Sequence, residues 1–388
     1  MTLFVVQACL NTYVFGHMHV LYLVIILNTN HNEFMSTQIA VLGAGAWGTA
    51  IAKVIADKGK NVVVWSYETD VRDDINQNGL NTRYLPNVKL PETLKATSNI
   101  EEAAEGKQFI IYATPSLFLL DTLKKTLPVH SIRDGKTVIA VITKGFLDSE
   151  NGPRMIVETM EDYLPGFFRQ SIVYISGPSH AEEVASGKIT GLIAASESAK
   201  NSIRFRDLLK NPRLLVYSSL DIRGVQIAAA AKNVIAIAFG FLDAMKTIGK
   251  GDMFGDGTES LLLAAGLNEI QLLGKTLGAT HPETFTSISG IGDLDVTCRS
   301  VLGRNRRFGR EIIEKKILEP YKNIDDILAH IGDIGYLPEG VAAAKYVRVL
   351  AEKHKLKMPV SVGLCKLLNR ELSPMEFCRD LLVDWDIK

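Results

Sequence analysis

From Gly224 to Leu242 the chain reads GVQIAAAAKNVIAIAFGFL, and Lys232 is the one ionisable group between Arg223 and Asp243. A run this apolar forms a buried helix. An unpaired ammonium inside one is costly to desolvate or gives up its proton. Desolvation moves a lysine pKa toward neutrality, where a group that gives and takes a proton in catalysis works best. The residues leave a second reading open, in which Lys232 snorkels to the surface or pairs with an acid from elsewhere in the chain. The neighbouring motifs favour the chemical reading.

Upstream, Gly43-Ala-Gly45-Ala-Trp-Gly48 is a GxGxxG sequence that closes one apolar run and opens a helical one, with a second strand candidate at Asn61 to Ser66. In that setting Gly43 permits a tight turn, Gly45 lets a pyrophosphate approach the backbone, and Gly48 lets helix and strand pack closely. The helix N-terminus then offers free N–H groups to phosphates. An acid at the end of the second strand would hold the ribose of NAD, but Ser66-Tyr67 stands there with Glu68 beyond it. Arg72 is a poor 2′-phosphate ligand, so either NAD or NADP is compatible with these residues.

Thr143-Lys144-Gly145 and Gly177-Pro178-Ser179-His180-Ala181 each follow an apolar run. Ligands of open α/β sheets lie at the carboxyl ends of strands, which places Lys144, Ser179 and the Gly177 turn at a cleft. His180 at a helix start reads more simply as packing than as an acid–base group. Farther on come Gly290-Ile-Gly-Asp293-Leu and five arginines from Arg299 to Arg310, with no acid in that stretch to interleave them. A solvated helix face would carry acids at i±4. The cluster therefore points to a phosphate held by bidentate guanidinium groups.

Strand candidates at 38–43, 61–66, 108–113, 136–142, 171–176, 191–196 and 213–219 alternate with helical stretches such as 47–58, 117–126 and 198–210. This alternation predicts a doubly wound, mostly parallel α/β sheet. From Gly224 onward the long segments have helical period, broken by loops at Gly249–Gly257, Ser289–Asp293 and Gly332–Gly340. The pattern predicts a dinucleotide-binding domain over residues 35–222 and an all-helical substrate domain over 223–388, with the site between them. The 388 residues include 43 basic and 43 acidic side chains, so no general charge draws the chain to nucleic acid or to an anionic membrane. Cys9, Cys298, Cys365 and Cys378 lack metal or CxxC spacing and read as free thiols of a reducing compartment. Leu3 to Leu27 holds no Lys, Arg, Asp or Glu, lacks the features of a signal peptide, and is followed by a polar break. Residues 1–34 are expected to be a non-native leader, with Met35 the start and a membrane anchor the lesser reading.

Taken in this order, the motifs resemble the bacterial-type NAD(P)-dependent glycerol-3-phosphate dehydrogenases, from about Ser36 to the C-terminal region. The most specific pieces are AKNVIAI around Lys232, TKG at Lys144, GPSHAEE at Gly177, GIGDL at Asp293 and RNRRFG from Arg304. The resemblance implies reversible reduction of dihydroxyacetone phosphate to sn-glycerol 3-phosphate, feeding glycerophospholipid synthesis. It implies that Lys232 is the proton donor or acceptor and that Lys144 contacts cofactor and substrate. Gly177, Ser179, Asp293, Gly303, Arg304 and Asn305 would bind substrate. Ala46, Trp47, Tyr67, Ala181, Leu337 and Glu339 would border the NAD or NADP, with Arg304 also reaching it. The family usually has serine where this chain has Gly303, which removes a hydroxyl contact and leaves the backbone N–H. A cytoplasmic homodimer acting on a small phosphorylated substrate, with no metal and no nucleic acid, is the expected setting. Two other readings remain: a related enzyme of the same plan acting on a 3-hydroxy acid or sugar nucleotide, and a non-catalytic dinucleotide sensor. The arginines disfavour the first and the buried lysine the second.

Overall fold

The computed structural model describes residues 38–150, 152–247 and 254–383. The leader, Met35, Cys9 and most of the Gly249–Gly257 segment lie outside them. The strands are β1 (Gln38–Leu42), β2 (Asn61–Trp65), β3 (Leu94–Thr97), β4 (Phe109–Tyr112), β5 (Val138–Val141), β6 (Phe146–Leu147), β7 (Arg154–Met155), β8 (Val173–Ser176), β9 (Thr190–Ala195) and β10 (Leu214–Ser219). Eight of them form one sheet in the order β10-β9-β8-β5-β4-β1-β2-β3, while β6 and β7 make a separate hairpin. β4, β5 and β8 are buried along their whole length. Strands covered on both faces need continuous apolar runs, as their sequences FIIY, VIAV and VYIS supply. Apolar clusters fill both faces of the sheet, one containing Ile39 and Val41, the other Ala40 and Leu42.

All seven strands expected from the sequence are present, within one or two residues at their ends. Besides the short β6–β7 hairpin, which is also additional, two features differ. β3 is an additional strand of four residues with alternating burial, too short and too polar to stand out. The sheet is parallel from β3 through β8, but β9 runs antiparallel to β8 and β10 follows β9. The reason is the connection: the helix between β8 and β9, Ala181–Ala185, has five residues. It rises only about 7.5 Å, so the chain re-enters the sheet from the end at which it left.

Beyond β10 the chain is helical. The helix Ile222–Thr247 begins against the sheet, where Ile222, Val225 and Ala229 join the core on one sheet face. Its remainder, from Ala230 to Met245, is the centre of a third core. The helix is long and apolar enough to cross a membrane, yet the apolar window is wholly buried by the protein. Around it pack the helices Asp256–Thr276, Asp293–Arg299, Arg304–Glu314, Glu339–His354 and Pro359–Leu368. Arg304–Glu314 lies against it backbone to backbone. A Cβ at Gly240 would stand 2.0 Å from Arg306 O, and one at Gly309 2.0 Å from Ile237 O. The segment expected as a loop at Ser289–Asp293 is instead a π-helical turn, Ile288–Gly292, running straight into the helix Asp293–Arg299. The Gly332–Gly340 segment begins with a short turn at Ile331–Ile334 and becomes helical at Glu339. Cys298, Cys365 and Cys378 are buried and form no disulfide.

Candidate active site

The glycine turn is built as its spacing requires. Gly43 has φ +130°, and a Cβ there would meet Ala113 C at 2.8 Å. A Cβ at Gly48 would lie 2.0 Å from Gly43 O, while nothing lies within 4 Å of one at Gly45. Gly45 is therefore the open position of the three. It is the N-cap of the helix Ala46–Ala56 and provides no side-chain cap, so the first N–H groups, at half-buried Ala46 and Trp47, remain for an anion. This fits a dinucleotide pyrophosphate. Gly48→Ala should drive helix and strand apart and cost about 1–3 kcal/mol, as overpacking does. Chemical denaturation of wild type and variant measures this, and equal stabilities would refute the packing role.

The residues expected to border the cofactor in the later segments differ in exposure. Tyr67 is exposed beyond β2, and Ala181 is buried against the core that includes Ala46 and Trp47. Leu337 and Glu339 are half-buried where the helix Glu339–His354 begins.

At the carboxyl ends of β5 and β8 the sheet meets the helical layer, and there the ionisable groups converge. Lys232 is 4% exposed and Asp293 1% exposed. Lys232 Nζ donates to Asp293 Oδ1 and, at 2.9 Å, to Thr297 Oγ1. Lys144 Nζ reaches Asp293 Oδ2 at 3.3 Å, and Ser176 Oγ donates to the same oxygen at 3.3 Å. Lys232 is thus buried, and it pairs with an acid from elsewhere in the chain. Burial pushes its pKa well below the ordinary lysine range. Lys144 pushes the same way, and Asp293 opposes both. Burial would raise the Asp293 carboxyl, but the two ammonium groups outweigh it and hold the acid below its usual range.

Two further groups border this cluster. His180 N-caps the short helix after β8. Burial, then Lys232, lower its pKa, and its Nε2 is buried without a hydrogen-bond partner among the described residues. Tyr174 shares a strand face with Ser176, and its hydroxyl is also buried without a partner among the described residues. Burial, with Asp293 and Glu339 adding to it, raises its pKa well above the ordinary value. Gly177 has φ +141°, and a Cβ would meet Gly191 O at 2.7 Å, so the turn requires glycine. Ser179 Oγ donates to Gly177 O at 3.1 Å.

The arginine cluster is not what its spacing suggested. Arg299 pairs with Asp295 and Glu259, Arg306 and Arg310 with Asp243, and Arg307 with Glu311. Their acids come from the turns just before and just after the stretch and from other helices, where a count within the stretch does not see them. Arg304 alone of the five is exposed with no acid partner among the described residues. Asn305 is buried, and its Oδ1 accepts from Gly340 N at 2.9 Å. Gly303 caps the helix, and its amide donates to Ser300 O at 3.1 Å. The free N–H expected at Gly303 is therefore committed to the turn before the helix. A Cβ there would lie 2.9 Å from Thr297 O, which places this turn against the threonine that holds Lys232.

Thr297 and Ser176 escaped the sequence reading. Thr297 falls four residues after Asp293, on one helix face, and Ser176 ends β8, but neither spacing announces its partner. Among the described residues no group of His, Cys, Asp and Glu could hold a metal.

Residues 38–202 match the family model described as NAD-dependent glycerol-3-phosphate dehydrogenase N-terminus, and residues 221–379 match the one described as its C-terminus. A curated relative from Treponema denticola, named glycerol-3-phosphate dehydrogenase (NAD(P)+), is 55% identical over 354 residues, 90% of this chain and 99% of the relative. The protein of the same name from Bacillus subtilis strain 168 is 37% identical over 331 residues, 85% of this chain and 90% of the relative. The crystal structure of glycerol-3-phosphate dehydrogenase from Coxiella burnetii superposes with a TM-score of 0.77 at 34% identity. It covers 90% of this chain and 99% of that one.

Proposed function

The chain belongs to the NAD-dependent glycerol-3-phosphate dehydrogenase family, and on that premise we propose a division of labour among its residues. The protein is an NAD(P)-dependent oxidoreductase interconverting dihydroxyacetone phosphate and sn-glycerol 3-phosphate. The observation that carries the residue assignment is the buried Lys232–Asp293–Lys144 cluster where the strand ends meet the helical layer.

Residues 35–222 serve as the cofactor-binding unit and 223–388 as the substrate unit. The turn from Gly43 to Gly48 and the amides of Ala46 and Trp47 hold the dinucleotide, bordered by Tyr67, Ala181, Leu337 and Glu339. When bound, it supplies or accepts the hydride at the substrate's C2. Lys232 Nζ gives its proton to the C2 oxygen as negative charge grows there, and takes it back in the reverse direction. Asp293 orients that ammonium, and Lys144 lowers its proton affinity while contacting the substrate. Gly177, Ser179 and Asn305 line the substrate. Gly303 shapes the turn before Arg304 rather than donating its amide. Arg304, exposed and without an acid partner, holds the phosphate, since a dianion in a cleft needs charge-assisted donors to offset desolvation. The enzyme works as a homodimer in the cytoplasm. The exposed Leu215 and Tyr217 on edge strand β10 support self-association, and sedimentation of the purified protein tests it.

The direct test of the residue assignment is substrate choice. Arg304→Ala should cost about 2–4 kcal/mol in kcat/KM for dihydroxyacetone phosphate, by analogy with truncated charge pairs. Lysine at 304 should restore only part, lacking the planar fork. Dihydroxyacetone without its phosphate should lose far less. Equal proportional losses on both compounds would place the phosphate elsewhere.

A further inference from the structure

Two turns and the short helix between them give the site a direction. Gly292, just before the helix Asp293–Arg299, lies against the turn of residues 177–180: a Cβ there would be 3.7 Å from Pro178 Cγ. The helix has seven residues and rises about 10 Å. Beyond its other end comes the turn of Gly303 and Arg304, where a Cβ at Gly303 would lie 2.9 Å from Thr297 O. Lys232 is held between the two, by Asp293 at the start of the helix and by Thr297 one turn on. The order along this edge is therefore the turn of residues 177–180, then Lys232, then Arg304.

His180 ends the first of these turns. It precedes the helix Ala181–Ala185 but does not cap it with its side chain. Nε2 is buried with no hydrogen-bond partner among the described residues, and a buried polar atom in that state is costly unless something arrives to pair with it. Nε2 is enclosed, as Lys232 is, so a substrate that reaches the lysine reaches the surroundings of this ring as well. Burial disfavours the imidazolium, and Lys232 and Lys144 act the same way against the opposing pull of Glu182 and Glu183. A neutral ring has one N–H donor and one acceptor. That pair suits a hydroxyl group, which gives and takes one hydrogen bond, better than it suits an anion.

The reaction proposed above, on which this inference rests, uses the C2 oxygen of dihydroxyacetone phosphate at Lys232 and its phosphate at Arg304. It leaves the C1 hydroxyl without a partner. We propose that His180 binds this hydroxyl through Nε2 and so makes the enzyme selective for a hydroxymethyl group at C1. The three positions follow one another along the site as hydroxyl, carbonyl and phosphate follow one another along the substrate. Ser179 is the other polar side chain of the turn, but its hydroxyl already donates to Gly177 O at 3.1 Å. A site that hydrogen-bonds a substrate hydroxyl rejects the analogue lacking it, because its own polar atom is then left unpaired.

The test compares kcat/KM of the full-length enzyme for dihydroxyacetone phosphate and for acetol phosphate, which has a methyl group in place of the C1 hydroxymethyl. Wild type should favour the first by about 100-fold. His180→Phe keeps an aromatic ring and removes Nε2, so this preference should fall by about 10-fold, with the loss falling on dihydroxyacetone phosphate. His180→Gln retains a polar end and should give an intermediate preference. Comparing the ratio between variants cancels the different intrinsic reactivity of the two ketones, and circular dichroism checks folding. A ratio unchanged in both variants, or equal proportional losses on the two compounds, would overturn the inference. So would a ratio that collapses in Ser179→Ala but stands in His180→Phe, since Ser179 would then read the hydroxyl. Wild type that reduces neither compound would overturn the substrate reading and this inference with it. Wild type that reduces dihydroxyacetone phosphate with a ratio indifferent to residue 180 overturns the inference alone.

Discussion

Lys232→Ala should lower kcat by about 10²–10⁴-fold, the range for a general acid–base group, while the protein remains folded. The substitution removes a buried ammonium and leaves Asp293 with Lys144 and Ser176 as partners. The acid therefore keeps a charged neighbour, and the helix bearing Lys232 gains an alanine in a run already rich in alanine. Loss of the proton donor should appear in kcat and kcat/KM together, because the interaction is made as charge develops at the C2 oxygen. Affinity for the dinucleotide alone should change little. Steady-state rates in both directions, with circular dichroism as the control for folding, decide the matter. A Lys232→Ala enzyme with a near-wild-type rate would remove Lys232 from the chemistry.

The second large effect concerns the pH profile and comes from the two groups that pull on Lys232 in opposite directions. On the proposed role, Lys232 enters the reducing direction protonated, so kcat/KM should fall as pH rises through its pKa. Burial and Lys144 lower that pKa, and Asp293 raises it. Asp293→Asn removes the raising charge, so the alkaline limb of dihydroxyacetone phosphate reduction should move to lower pH. Lys144→Met removes a lowering charge, so the same limb should move to higher pH, with KM increased by the lost substrate contact. Asp293→Asn should also cost about 3–5 kcal/mol of stability where Lys232 stays charged, as removal of one partner from a buried pair does. That cost should shrink at higher pH, where Lys232 goes neutral. Profiles of kcat/KM for the three proteins test the signs. Limbs that coincide in all three would assign the titration to another group.

The dinucleotide-binding half was legible in the chain because its signals are local. The turn at Gly43 needs a positive φ, Gly48 needs to lack a Cβ against Gly43 O, and buried central strands need continuous apolar runs such as FIIY and VIAV. Lys232 was legible for a similar reason: one ammonium in an uncharged helix is an anomaly visible within twenty residues. The arginines were legible only as a cluster, since their acids lie on other turns. Asp243, which takes Arg306 and Arg310, is more than sixty residues away in the chain. Spacing within the stretch could not separate the four arginines that pair with acids from Arg304, which has no acid partner among the described residues.

The residue types, the order of elements and the oddity of Lys232 are properties of the sequence alone. The tertiary structure decided that Asp293, 61 residues farther along, closes on Lys232, that β9 turns back against β8, and that the turn at Pro178 lies against Gly292. Each of these is a long-range contact whose energy depends on two segments meeting in a desolvated place. Such a meeting is set by how whole elements pack on one another, as the helices 222–247 and 304–314 do through their close backbone approaches at Gly240 and Gly309, and no local pattern of residue types encodes which partner arrives.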